Sequence, residues 1–150
     1  MTSLPDYGPL FRDAYATLHG RHADEPPADS GRRSDESLEE FLARSRSEAL
    51  VKLRGRLESA EPPKELRIAH GLLVRLLTCA AEADASLAAQ VEAYRCGNFQ
   101  GSISHSDRLH SIVSESARLD SELILALREV EETDPSTLSA LGIEEIEQRR

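Results

Sequence analysis

Apolar residues recur every three or four positions along most of the chain, and the places where the rhythm fails mark its joints. Leu10, Phe11, Ala14, Tyr15 and Leu18 form one stripe, which predicts a short amphipathic helix over 9–19. Pro9 suits the first helical position, where a missing amide costs nothing. The next segment, "GRHADEPPADSGRRSD", has no hydrophobic anchor and reads as a flexible linker.

Three long periodic stretches follow. The first, over 37–60, carries Leu38, Phe41, Leu42, Ala49, Leu50, Leu53 and Leu57. Ser37 with Glu40 three residues on is a capping-box pattern at its start, and "EPP" at 61–63 stops it. The second, over 63–96, carries Leu66, Ala69, Leu73, Leu76, Leu77, Ala80, Ala83, Leu87, Val91 and Tyr94, with Gly97 as its C-terminal cap. The third, over 103–132, carries Leu109, Ile112, Val113, Leu119, Leu123, Ile124, Leu127 and Val130. Asp134-Pro135 then opens a short helix over 136–147, with Gly142 as an interruption. The expected organisation is an N-terminal helix within 1–20, a linker over 21–35, a long-helix unit over 36–133 and a C-terminal helix and tail over 134–150.

Short turns between long helices make neighbours run antiparallel, so the expected fold is all-α: an antiparallel three-helix bundle with short amphipathic helices at both termini. Such a bundle gathers "ALVKL", "LLVRLL" and "LILAL", the most apolar pieces of the chain, at one end. Leu38, Phe41, Tyr94, Phe99 and Ile103 are left as a thinner core at the other. "CAAEADASLAAQ", residues 79–90, lies halfway along the middle helix and holds two charges, Glu82 and Asp84. A helix that is weakly apolar around most of its circumference is covered on more than one side. The expected covers are its two neighbours together with a terminal helix or a second copy of the chain.

Composition agrees with helices: Ala, Leu, Glu, Ser and Arg dominate, aromatics are 4% and Trp is absent. The formal net charge of −9 gives no general attraction to nucleic acid or to an anionic membrane. Cys79 and Cys96 fall on one helix about 25 Å apart at ~1.5 Å per residue, beyond disulfide reach, and so read as reduced thiols. No stretch has the apolar length of a bilayer span, and "MTSLPDYGPLFRDAYATLHG" lacks the pattern of a signal peptide. A cytoplasmic protein is expected.

Candidate chemistry is sparse. Asp107 and His110 are spaced to share a helix face, and a hairpin turning near Phe99 brings Glu92 towards them. Glu92, Asp107 and His110 are therefore the candidate metal set, although no Glu-x-x-His pattern supports it; the plainer reading is a surface histidine beside acids. Glu82 and Asp84 point about 200° apart on a helix and make no paired-carboxylate site. His70 sits just off the apolar stripe, as a ligand or pH-sensitive contact or, more plainly, as an interfacial histidine satisfied across the helices. Cys96 at a helix C-terminus is disfavoured as a thiolate. Residues 44–75 hold eight basic residues (Arg44, Arg46, Lys52, Arg54, Arg56, Lys64, Arg67 and Arg75) against four acidic ones, a face that either meets nucleic acid weakly or pairs with acids of the third long helix.

No catalytic triad or phosphate loop can be assembled, and no cofactor is implied. The expected function is a non-enzymatic protein-protein interaction module: an adaptor, assembly factor or small regulatory subunit. Its expected partner-binding residues are Leu10, Phe11, Tyr15 and Leu18 on the tethered N-terminal helix, with Ala80, Ala83 and Leu87 as a seam for a homo-oligomer. The alternatives are metal or small-ligand binding at Glu92, Asp107 and His110, and nucleic-acid association through 44–75.

Overall fold

The computed structural model describes residues 4–19, 33 and 35–143. The expected linker, apart from Arg33 and Asp35, lies outside the described residues, as does the tail with Ile146. The chain is all-helical over the described residues: α1 (Leu4–Leu18), α2 (Leu38–Ser59), one 3₁₀ turn (Lys64–Leu66), α3 (Arg67–Arg95), α4 (Phe99–Thr133) and α5 (Pro135–Leu141).

Local signals set most of these boundaries. Ser37 accepts from the Glu40 amide at 3.2 Å and caps α2. The Gly97 and Asn98 amides turn back to the Tyr94 and Ala93 carbonyls and close α3. Asn98 Oδ1 then accepts from the Gly101 amide at 3.0 Å, so α4 starts at Phe99 rather than 103. The whole turn is Cys96-Gly97-Asn98, because one polar side chain caps the next helix at once. Gly142, at φ 69°, ends α5 after seven residues, shorter than the 136–147 expected.

α1 departs most from expectation. It starts at Leu4, and Pro9 lies inside it rather than at its first position. Pro5 now occupies the first turn, where proline is tolerated. Pro9 forfeits one helical hydrogen bond on the exposed side. In return, the extra turn carries Tyr7 into the core, where it is fully buried.

α3 is the spine of the molecule, packed along both α2 and α4. The contacts across each seam run in opposite sequence order: Glu40, Ser47 and Arg54 of α2 meet Arg95, Ala81 and Thr78 of α3. Tyr94 and Arg75 of α3 meet Phe99 and Glu115 of α4. α2 and α4 share no comparable seam; α1 rests on α2, α3 and α5, and α5 rests on α4. The terminal helices thus bridge the two outer helices. Gly8 permits the closest approach between them, since a Cβ there would lie 3.3 Å from the Ala140 carbonyl oxygen.

Among the described residues the main core cluster consequently lies towards one end. Leu50, Leu53 and Leu57, Leu66 to Leu77, and Leu119 to Val130 pack with Tyr7, Phe11, Ala14 and Tyr15 of α1 and with Leu138, Leu141 and Ile143. The small residues of α3 serve both flanks. Ala81 is buried on the α2 side, where Ser47 Oγ donates to its carbonyl at 2.8 Å. Ala80 and Ala83 lie beside Ile112 and Ser116 of α4.

Leu73→Ala and Leu123→Ala each remove a fully buried side chain and should cost about 2–5 kcal/mol. Ile68→Ala, at a residue 70% exposed, should stay within about 0.5 kcal/mol. Urea unfolding of the three variants checks this pair of outcomes.

Candidate functional site

The end of the molecule away from the main core presents the candidate site. Leu38 (50% exposed), Tyr94 (67%), Phe99 (58%) and Ile103 (57%) are solvent-facing there. The Tyr94 and Phe99 rings meet edge to face at 5.4 Å, and Ile103 stands one helical turn beyond Phe99. These residues were expected to form a thin core with Phe41, yet only Phe41 is buried. The reason is architectural: α2 and α4 do not close on each other, and the terminal helices that cover the gap are at the opposite end. Sequence did carry a signal, namely two aromatics flanking the Gly97 turn in a chain with few aromatic residues.

Ion pairs brace this end. Arg95 donates from Nε and Nη2 to the two carboxylate oxygens of Glu40, at 2.7 and 3.2 Å. Glu40 is buried, and the Arg95 hydrogen bonds hold its carboxyl below the usual range. Arg44 binds Glu36 in the same two-pronged manner, at 3.0 and 2.9 Å. That contact pulls the Glu36 carboxyl down to about 2. The first pair ties the start of α2 to the end of α3, and the second ties the α2 entry segment to α2 itself. Neither pair could be assigned from spacing, because each depends on interhelix register or on the path of the chain into α2.

The other candidate residues are dispersed. Glu92, Asp107 and His110 are all exposed, and among the described residues no group of three or more His, Cys, Asp or Glu is placed to hold a metal. The tight turn over 96–98 sets the register of α3 against α4. It sets Glu92 level with the first turn of α4, so Asp107 and His110 lie roughly 10 Å further along at ~1.5 Å per residue.

The partner stripe expected on α1 is spent on the chain itself. Phe11 and Tyr15 are buried in the core and Leu10 packs against it. Leu18, Ala80 and Ala83 line a shallow groove of about 340 Å³ between α3 and α4, together with His19, Cys79 and Asp120. Leu87 is half-buried. Burial pushes the Cys79 thiol up, with Glu115 and Glu82 adding to the effect, so it stays protonated.

Part of the basic stretch is paired: Arg44 with Glu36 and Glu48, Arg46 with Asp84, and Arg75 with Glu115. Asp84 is half-buried, and burial raises its carboxyl against the pull of Arg46. His70 Nδ1 and the Tyr7 hydroxyl share a hydrogen bond across the helices, at 2.6 Å.

No helix among the described residues is long and apolar enough to cross a membrane. No protein-family model, curated protein or solved structure matches this chain.

Arg95→Met strands the buried Glu40 carboxylate and should lower Tm by several degrees, with Glu40→Gln in the same chain recovering most of the loss. A double-mutant cycle followed by thermal melts reads this directly. The Glu36 clamp works through a depressed folded-state pKa. Its stabilisation is present above the ordinary carboxylate value near 4.5 and fades as pH falls from there towards about 2. Arg44→Ala should flatten that part of the Tm-against-pH curve.

Proposed function

We propose that this chain is a non-enzymatic, cytoplasmic protein-protein interaction module, an adaptor or small regulatory subunit built on three antiparallel long helices. The partner surface is the braced apolar end formed by Leu38, Tyr94, Phe99 and Ile103. The observation that carries this reading is the exposure of these four side chains at one end of the molecule. Water-exposed apolar residues grouped in this way are a mark of binding surfaces, and aromatic side chains beside arginine are enriched among the residues that dominate binding energy. The Glu40–Arg95 and Glu36–Arg44 pairs support it further, because a surface already held in place loses less freedom on binding. Free Cys79 and Cys96 fit a reducing compartment.

The proposed contact is at the α3–α4 hairpin end, away from α1 and from the Ala-rich stretch. The test is capture from lysate of the native host by wild type and by the Tyr94→Ser/Phe99→Ser double variant. Both should melt within a few degrees of each other, since the altered side chains are exposed. Wild type should retain a stoichiometric partner that the double variant loses. Equal capture by two equally stable proteins rules out this end as the contact.

A further inference from the structure

α1 is fastened near each end by a histidine contact, Tyr7–His70 at one and His19–Asp120 at the other. Near its start, Tyr7 is fully buried. Its hydroxyl meets His70 Nδ1 of α3 at 2.6 Å, with the rings 5.7 Å apart. Burial raises the Tyr7 pKa, so the hydroxyl keeps its proton. A neutral His70 with its proton on Nε2 accepts that hydrogen bond through the Nδ1 lone pair. A protonated His70 carries N–H at the same atom and can only donate, which leaves the buried Tyr7 hydroxyl hydrogen without its acceptor. It also places a cation in a half-buried site. Burial lowers the His70 pKa, and Glu58 of α2 opposes this by attraction.

At the other end, His19 closes α1. Its Nδ1 faces the Tyr15 carbonyl at 2.8 Å, and its Nε2 faces Asp120 Oδ1 of α4 at 3.1 Å. Both of these contacts are to oxygen atoms, so they hold the ring between the end of α1 and α4. Cys79 of α3 lines the groove beside this pair.

We propose that α1 is a pH-operated strap: a proton on His70 unlatches its Tyr7 end from α3, while the His19–Asp120 contact keeps its other end on α4. The strap then swings about residues 15–19 instead of leaving the molecule. The swing uncovers Leu10 and Phe11, which are buried or half-buried while the latch is closed. The sign follows from linkage. The docked state holds fewer protons on His70 than the undocked state, so docking is complete above the ordinary histidine value of about 6.5 and weakens progressively as pH falls below it. The carboxylate clamps at the far end weaken only in more acidic solution, which separates the two effects.

The test is amide hydrogen exchange of the full chain, corrected for the intrinsic pH dependence of exchange. Between about pH 7.5 and pH 5, opening at residues 8–12 should rise about fivefold or more, while residues 14–18 change less than about twofold. His70→Gln keeps a hydrogen-bonding side chain without a titration and should remove the difference. Equal opening of both halves, or a response that survives His70→Gln, overturns the proposal. If that variant does not fold, the NMR titration of His70 in wild type decides. A midpoint below the ordinary histidine value, coinciding with the loosening of residues 8–12, supports the strap; a midpoint at or above it overturns the strap.

Discussion

One apolar helix has to be covered on more sides than its two long neighbours can reach. α3 is lined by leucine and alanine towards both α2 and α4, yet those helices flank it without sealing against each other. The remaining opening is closed by α1 and α5, each too short to hold its shape alone. Their burial makes the core, and their position makes it one-sided. The exposed hairpin end, the dispersed acidic groups and the histidine fastenings all follow from where those two short helices dock.

The same constraint explains the Ala-rich middle of α3. Small side chains let α2 approach closely enough for Ser47 to reach the Ala81 carbonyl, and they let α4 lie against Ala80 and Ala83. Close packing on two flanks leaves little room for a polar face. Glu82 and Asp84 sit where the helix surface turns towards water, and Arg46 of α2 meets Asp84. No second copy of the chain is needed to account for this composition.

Charge acts as a brace in this fold more than as a field. The net charge is −9, but arginines are drawn into specific carboxylate contacts at the ends and along the outer seams. Two-pronged guanidinium contacts fix orientation as well as distance. They hold in place an end of the molecule that hydrophobic packing does not fill.

The sequence by itself determined the all-helical class, the approximate helix spans, the Ser37 cap, the Gly97 turn and the break at Asp134-Pro135. These depend on residues within a few positions of one another, so periodicity and capping chemistry reach them. It also made His70 legible as an interfacial histidine, because its offset from the apolar stripe is a local property. Only the tertiary structure decided that Phe11 and Tyr15 belong to the chain's own core, that Tyr94 and Phe99 face water, and that Glu92 lies apart from His110. Those outcomes turn on the register between helices and on which side a short helix docks. A one-residue change in a hairpin turn rotates or shifts every side chain beyond it, and a stripe on a short helix says that it must be covered without saying by what.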